Sequence, residues 1–409
     1  MSRKRESRRR ASRVFSESSG GRARAKKRRA AKLAVLLILL CLIVIGCYLW
    51  DRNTLIFSDF FYDFYYTYLS PVTPPKIPQS DGNSQGELTI HFVDVGQGDS
   101  IILELPDGKK MIVDGGPRSA KAQLLSYIDE LGITRFDYLL LTHTDEDHVG
   151  SLDDVLDHCD VVQMLVPDIS TDLITTAVYR QFVEVAETEL SEVEGSSLTY
   201  TCYDSDFSDE ETGYFVDFVT PSAADYGTVT AGNAEKINSI SPIMIISFGG
   251  YRIMLTGDAN EISEEWFLER VAADTANGAD YYDVDVLKVG HHGSETSTND
   301  TEEIPFLRTI RPEYAVISYG EGNKYGHPRP ELLARLAQYM PEDHIYGTAE
   351  DGNIVLKIAK EGEAFEMNFY TSEESEGQEA ALGLWANFAD FSKLFYLSAR
   401  KFQSFAALI

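Results

Sequence analysis

Thr142-His-Thr-Asp-Glu-Asp-His-Val-Gly-Ser151 is the stretch on which the reading of the fold turns. Two His and three acidic residues fall within residues 143–148, directly after the apolar run Tyr138–Leu141 and before an amphipathic stretch that begins at Leu152. That order reads as strand, loop, helix. Neighbouring side chains of a regular strand alternate between faces, so convergence of several of them on one point requires the loop. His143, Asp145, Asp147 and His148 therefore read as ligands for a metal, with Gly150 releasing the turn. A solvated loop with a helix cap would need a single Asp or Ser rather than this set. Imidazole suits zinc, manganese and iron alike, while carboxylates pull toward harder ions such as manganese or magnesium, so the residues call for a divalent metal without naming it.

Upstream, residues 88–94 alternate as a strand and run into VGQGDS. Ser100 to Leu105 and Met111 to Val113 form a hairpin that ends at Asp114-Gly-Gly. Asp94, Gln97 and Asp99 either reach the metal centre or merely accompany a tight glycine turn. Ser119 to Leu131 reads as a helix, and residues 152–235 as mixed helices, a hairpin and mobile loops with no assignable chemistry. Farther on, two apolar strands joined at Gly249-Gly250 deliver Asp258 to a strand end, either to cap the helix that follows or to bind metal. Val284 to Ser294 repeats the pattern, an apolar strand followed by His291-His292-Gly293. Successive side chains point differently, so one His can ligate while the other faces the reacting group. Lys288 suits an anionic substrate or a salt bridge. Glu313 to Ser318 is strand-like, Pro330 to Tyr339 helical, and Ile354 to Ala359 with Phe365 to Tyr370 a closing hairpin.

The 409 residues, 44% of them hydrophobic, can bury a full-sized core. Charge is divided sharply. Residues 1–32 are a basic tail of net +12, which leaves −41 on the rest of a chain whose total is −29. Residues 33–50 carry no charge and at 1.5 Å per residue nearly span a hydrocarbon core of about 30 Å, so they read as a membrane anchor. The positive-inside rule then puts the tail in the cytoplasm and everything after Asp51 outside. Residues 51–87 read as an aromatic juxtamembrane segment and a Pro/Gly/Ser linker, residues 88–372 as the folded domain, and residues 373–409 as an amphipathic helical segment that docks on the core or lies on the membrane. Cys41 and Cys47 fall in the anchor; Cys159 and Cys202 are expected as separate buried thiols, although an oxidising exterior would permit pairing.

The segments HFVDVGQGDS, MIVDGG, LTHTDEDHVGS, NSISPIMIISF, LTGDA, LKVGHHGS and YGHPRPELL occur in one order over residues 88 to about 358. Together they resemble the metallo-β-lactamase-like nuclease domain of the ComEC competence proteins and its free-standing relatives. The resemblance implies an αββα sandwich with a centre for two divalent ions at one edge. It implies His143, Asp145, Asp147, His148, Asp258 and His292 as ligands, with Asp258 bridging. His291, Lys288 and Asp147 are the implied catalytic groups, with Asp94, Gln97, Asp99, Asp114, Asn238, Ser241 and His327 around them. Three departures stand out. Asp145 occupies the usual place of a second His, Asn238 to Ser241 replaces the family's next His, and Arg329 stands where some relatives have another. A similar His-His-Gly arrangement occurs in surface phosphorylcholine esterases of the same superfamily. The expected activity is hydrolysis of a phosphodiester at the cell surface, with DNA as the substrate the resemblance favours. A small or cell-wall phosphodiester is the alternative, and a non-catalytic metal-binding module is the alternative of another class.

Overall fold

A computed structural model describes residue 77 and residues 86–167, 176–201, 207–226, 235–276 and 282–372. The basic tail, the anchor at residues 33–50, nearly all of the aromatic segment and linker, Cys202 and the C-terminal segment lie outside the described residues. Among the described residues no helix is long and apolar enough to cross a membrane.

Alternation along the strands builds the layers. In β2 (Ile101–Glu104), Ile101 and Leu103 face one core and Ile102 the other, the period of two that puts successive side chains on opposite faces. Joined to it are β1 (Leu88–Phe92), β3 (Lys110–Val113), β4 (Arg135–Leu140), β5 (Asp160–Pro167), β6 (Ser197–Thr201), β14 (Ile354–Glu361) and β15 (Ala364–Thr371). These form an eight-stranded sheet in the order β15-β14-β1-β2-β3-β4-β5-β6. A seven-stranded sheet is built from β7 (Phe207–Asp209), β8 (Tyr214–Thr220), β9 (Ile243–Phe248), β10 (Tyr251–Leu255), β11 (Val286–Lys288), β12 (Tyr314–Ile317) and β13 (Ile345–Gly347), ordered β13-β12-β11-β10-β9-β8-β7.

Three apolar cores separate four layers. Ile90, Leu103 and Val113 of the first sheet meet Val216, Ile246, Ile253 and Val286 of the second in the central core. Outside the first sheet, Ile112, Leu139 and Val161 pack on Tyr127 of α1 (Lys121–Glu130), Val155 of α2 (Leu152–His158) and Phe182 of α3 (Ala177–Glu192). Outside the second, Ile245, Met254 and Leu287 pack on Phe267 of α4 (Glu261–Ala276), Phe306 of α5 (Phe306–Ile310) and Leu332 of α6 (Pro330–Leu336). The arrangement is the αββα sandwich expected.

Each sheet changes from antiparallel to parallel pairing where a helix crosses over: β3-α1-β4 in one, β10-α4-β11 in the other. In open α/β sheets the carboxyl ends of such strands are where ligands are bound. The turns after β3, β4, β10 and β11 carry Asp114, residues 142–148, Asp258 and the His291-His292 pair.

The helices and hairpin expected of residues 152–235 are present as α2, α3 and the antiparallel pair β7-β8, but the stretch also supplies β5, which lies between β4 and β6 inside the first sheet and was not expected. The cap of α4 is Asn260, not Asp258: Asn260 Oδ1 accepts the Ile262 N–H at 3.1 Å and Ser263 Oγ accepts the Asn260 N–H at 3.2 Å. This reciprocal pair satisfies the helix start and leaves the Asp258 carboxylate unengaged by it. Cys159 is buried, donates to the Ile133 carbonyl at 3.5 Å, and burial pushes its thiol up to about 11.

Candidate metal centre

Asp114 is the organising residue of the first sheet's edge. It is fully buried in a left-handed conformation (φ 59°), which brings its carboxylate back over the neighbouring strand. One oxygen accepts the Thr142 N–H at 2.8 Å; the other accepts the Thr142 hydroxyl and the His148 Nδ1–H, both at 2.7 Å. His148 is thereby held in the tautomer that leaves Nε2 free, the arrangement in which a carboxylate orients a metal-binding imidazole.

Two further histidines are fixed the same way. His292 Nδ1 donates to the Ser318 carbonyl at 3.0 Å. His143 Nδ1 lies 3.1 Å from Thr142 Oγ1 and 3.3 Å from Ser241 Oγ, which also accepts the Asp258 N–H at 3.2 Å. The Nε2 atoms of His143, His148 and His292 and Asp258 Oδ1 are then buried without a hydrogen-bond partner. Asp258 Oδ1 is 3.1 Å from His148 Nε2 and 3.4 Å from His292 Nε2, and Asp147 Oδ2 is 3.5 Å from His292 Nε2. Orphaned buried polar atoms are costly and rare. Here they converge: ligand atoms of His143, His148 and Asp258, and of Asp147, His148 and His292, lie within 4.8 Å of one another. A divalent cation would satisfy them, so the residues present fit the metal expected of the sequence.

Asp145 sits at the open side, its side chain 49% exposed and 3.7 Å from His143 Nε2. It belongs to none of the groups of converging ligand atoms and is the most exposed of the expected ligands, whereas His143, His148, Asp258 and His292 are buried.

Charge supports the same reading. Burial alone would make the imidazoles less basic, yet the Asp258 and Asp114 carboxylates raise His148 well above the ordinary range, and Asp258, Asp147 and Asp99 raise His292 to about 10. Burial would push Asp258 up, but His292, His148 and His291 hold it well below the usual carboxylate range. Asp147 and Asp145 are lowered against burial by His292 and His143 respectively. Protons on these imidazoles sit where a metal's charge would replace them.

Placement of the remaining expected residues is mixed. Asp99 reaches the cluster, 3.4 Å from His292 Nδ1, and its other oxygen pairs with Lys288 Nζ at 2.9 Å. Lys288 is fully buried and also donates to the Val289 carbonyl at 2.9 Å, so it is a buried salt-bridge partner and not the substrate-facing catalytic group expected. Asp94 folds back on its own turn, accepting the Gly96 N–H at 3.0 Å, and so shapes the turn instead of reaching the centre. Gln97 Oε1 accepts the Gly320 N–H at 3.4 Å, outside the ligand cluster. Gly98 permits the close approach: a Cβ there would lie 2.3 Å from the Asp147 carbonyl, which accepts the Asp99 N–H at 3.2 Å.

His291 and His292 occupy left-handed backbone (φ 49° and 53°), so the turn splays their rings apart. While His292 points inward, His291 Nε2 lies 3.3 Å from Asn238 Nδ2 and 3.6 Å from Asp258 Oδ2, and burial lowers its basicity. Asn238 Nδ2 also reaches Asp258 Oδ2 at 3.4 Å. The His327 ring stands edge-on to His291 at 5.7 Å and is lowered to about 4 by burial and by His291 and His292.

Three supports were not read from the sequence. Thr142 joins Asp114 to His143, and its place before His143 in the motif was an available signal. The Ser318 carbonyl anchors His292 and carries no side-chain signature. Glu264 looks like one more solvated acid in EISEEWFLER, yet it is fully buried and accepts the backbone N–H groups of Thr298 and Asn299 just beyond the His-His turn.

Residues 93–222 match the metallo-beta-lactamase superfamily. Over 279 residues the chain is 27% identical to ComE operon protein 3 of Bacillus subtilis, covering 63% of this chain and 31% of that protein. It is 26% identical over 270 residues to Recombination protein 2 of Haemophilus influenzae, covering 65% and 28%. The chain thus spans about a third of the length of the curated relatives it matches. Among solved structures, a long form RNase Z from yeast aligns with a TM-score of 0.40 and 10% identity, over 74% of this chain and 51% of that one.

Proposed function

From the premise that this chain is a ComEC-like protein of the metallo-β-lactamase superfamily, we propose that it is a metal-dependent phosphodiesterase. The observation that carries the reading is the convergence of three orphaned Nε2 atoms with Asp258 Oδ1 and Asp147. His143 and Asp145 would hold one ion, Asp147, His148 and His292 the other, and Asp258 both. Two divalent ions, zinc or manganese, would supply Lewis acidity toward phosphoryl oxygens and lower the pKa of a water molecule.

The chain's own residues do the rest. Asp114, Ser318 and Thr142 hold the three ligand rings in register, so little reorganisation accompanies substrate binding. Asn238 Nδ2, 3.3 Å from His291 Nε2, holds that ring beside the centre. There His291 donates to a phosphoryl or leaving-group oxygen, a contribution typically of order 10²–10⁴ in rate. Asp147 accepts a hydrogen bond from the attacking water.

Activity on bis-(p-nitrophenyl) phosphate is expected to vanish on chelation, return with zinc or manganese, and fall at least a hundredfold in His143→Ala. Turnover that survives both chelation and this substitution would exclude the mechanism. A small or cell-wall phosphodiester remains the second reading of the substrate, favoured by the −41 net charge outside the tail, which repels polyanions.

Residues 33–50 are proposed to anchor the chain, with the hydrolase domain on the outer face. The full-length protein should then pellet with membranes, resist alkaline carbonate and yield only to detergent. Release by carbonate alone would refute the anchor.

A further inference from the structure

We infer that the buried ion pair of Lys288 with Asp99 is a counter-charge built into the metal centre: it positions Asp99 behind His292 and lowers the negative charge of the centre to what two divalent ions neutralise. The inference rests on the reading of the cluster as a two-ion centre and does not depend on which bond is hydrolysed.

Packing does not call for an ammonium at this place. Along β11, Val286 faces the central core and Leu287 the outer one, so Lys288, two residues after Val286, turns inward between the sheets. Its Nζ lies 2.9 Å from Asp99 Oδ2, with side-chain exposures of 0% and 1%. Taking two charges out of water is costly, and an apolar pair of similar volume is often no less stable, so stability alone does not account for the pair.

Asp99 is fixed at its backbone. Its N–H donates to the Asp147 carbonyl at 3.2 Å and its carbonyl accepts the Gly116 N–H at 2.7 Å, which ties it to the ligand loop and to the turn of Asp114. The side chain is held differently. Asp114 accepts three hydrogen bonds, whereas neither Asp99 oxygen meets a donor at hydrogen-bonding geometry. Charge sets this carboxylate between the Lys288 ammonium and the His292 ring, whose Nδ1 is 3.4 Å from Oδ1. His292 Nδ1 donates to the Ser318 carbonyl, and the Asp99 carboxylate stands beside that bond, so a negative charge backs this ring as Asp114 backs His148. The pair also spans the sandwich, since Asp99 follows β1 of the first sheet and Lys288 ends β11 of the second.

The charge of the centre gives the pair its second role. Asp99, Asp114, Asp145, Asp147 and Asp258 each contact an imidazole of the cluster. Five carboxylates against the one ammonium of Lys288 leave a fixed charge of −4, which two divalent ions bring to zero. Without Lys288 an uncompensated carboxylate would remain beside the ions, with ligand atoms of Asp99, Asp258 and His292 all within 4.8 Å of one another. Lys288 thus keeps Asp99 a positioning group instead of a further ligand.

The test measures zinc and manganese affinity of the full-length chain by competition against a chromogenic chelator. A purely structural pair predicts one outcome whichever half is removed, weaker binding in step with lower stability. A counter-charge predicts opposite signs. Asp99→Asn leaves the ammonium unpaired near the ions and should weaken binding about 10- to 100-fold. Lys288→Met leaves the carboxylate and should tighten binding about tenfold, although each variant lowers the melting temperature of the metal-free protein. Combining the substitutions should restore much of that melting temperature and about tenfold of the affinity lost in Asp99→Asn. Lys288→Met that binds within twofold of wild type, or more weakly, overturns the inference, as does Asp99→Asn within twofold. Should Lys288→Met not fold, the double variant against Asp99→Asn makes the same comparison, and a recovery below twofold overturns it. Wild type that binds neither ion would fail the two-ion reading and the inference together, whereas same-signed variants of a metal-binding wild type fail the inference alone.

Discussion

Asp114 shows how much of the centre depends on a residue that touches no substrate. One carboxylate receives three hydrogen bonds, from the Thr142 amide, the Thr142 hydroxyl and the His148 ring, at a backbone position with φ 59°. Asn tolerates left-handed backbone as Asp does, so Asp114→Asn keeps the turn. It offers a single acceptor oxygen, and its NH₂ group confronts a donor, so His148 loses the partner that fixes its tautomer. Metal affinity should fall about 10- to 100-fold, the usual consequence of losing such a partner, with an unchanged circular dichroism spectrum. Competition against a chromogenic chelator measures this, and an affinity within twofold of wild type would show that Asp114 does not position His148. Residues of this kind were partly legible: the His and Asp of THTDEDH announce themselves because no structural role needs them at that density. Asp94 and Asp99 were indistinguishable on paper, since both precede or follow turn glycines. Only the fold shows that Asp99 pairs with Lys288 while Asp94 closes its own turn.

Among the elements, the strands that feed the centre were visible because each is an apolar run ending in glycine and polar residues, as at residues 138–143 and 286–293. Strand β5 was not, because its exposed Asp160 and half-buried Gln163 break the run in an acidic stretch of sequence. Helix α4 illustrates a second kind of concealment. Its amphipathic pattern places Glu264 among acids, and only packing shows the carboxylate turned inward to the Thr298 and Asn299 amides, with Asn299 Nδ2 at 2.9 Å. Burial raises Glu264 to about 7, against the pull of Asn299, Thr298 and Arg335 toward the charged form. The folded state thus binds this proton more tightly than the unfolded chain, whose ordinary value is 4.5. The associated stability is present in full below pH 4.5 and is lost as pH rises through about 7, up to about 3 kcal/mol. Urea unfolding of wild type and Glu264→Gln at pH 5 and pH 8 isolates the term, because other titrating groups cancel in the difference. Wild type should lose stability relative to the variant over that range, and a flat difference would mean that Glu264 titrates like an exposed acid.

At the level of the whole molecule, the proposed ligands are divided between the two sheets. His143, Asp147 and His148 follow β4 of the first sheet; Asp258 and His292 follow β10 and β11 of the second. The central apolar core holds the sheets face to face, but at their common edge the contact is a cluster of carboxylates and imidazoles with orphaned atoms. A bound ion therefore acts as a fastener between the sheets, and one that binds the folded chain alone adds about 2.7 kcal/mol at a hundredfold excess over Kd. For a domain of this size each kcal/mol moves Tm by about 2–4 °C, so chelation should lower it by about 5–10 °C. His143→Ala and His292→Ala remove one ligand from each sheet, and each should abolish most of the metal-dependent shift even though the substituted residues lie on opposite sheets. The measurement is calorimetry of the metal-loaded and chelated protein, with metal content determined in both. Equal melting temperatures for loaded protein and for protein verified as metal-free would show that the edge is held by its ion pairs alone. A shift lost in only one of the two variants would place the tightly held ion on that sheet's ligands.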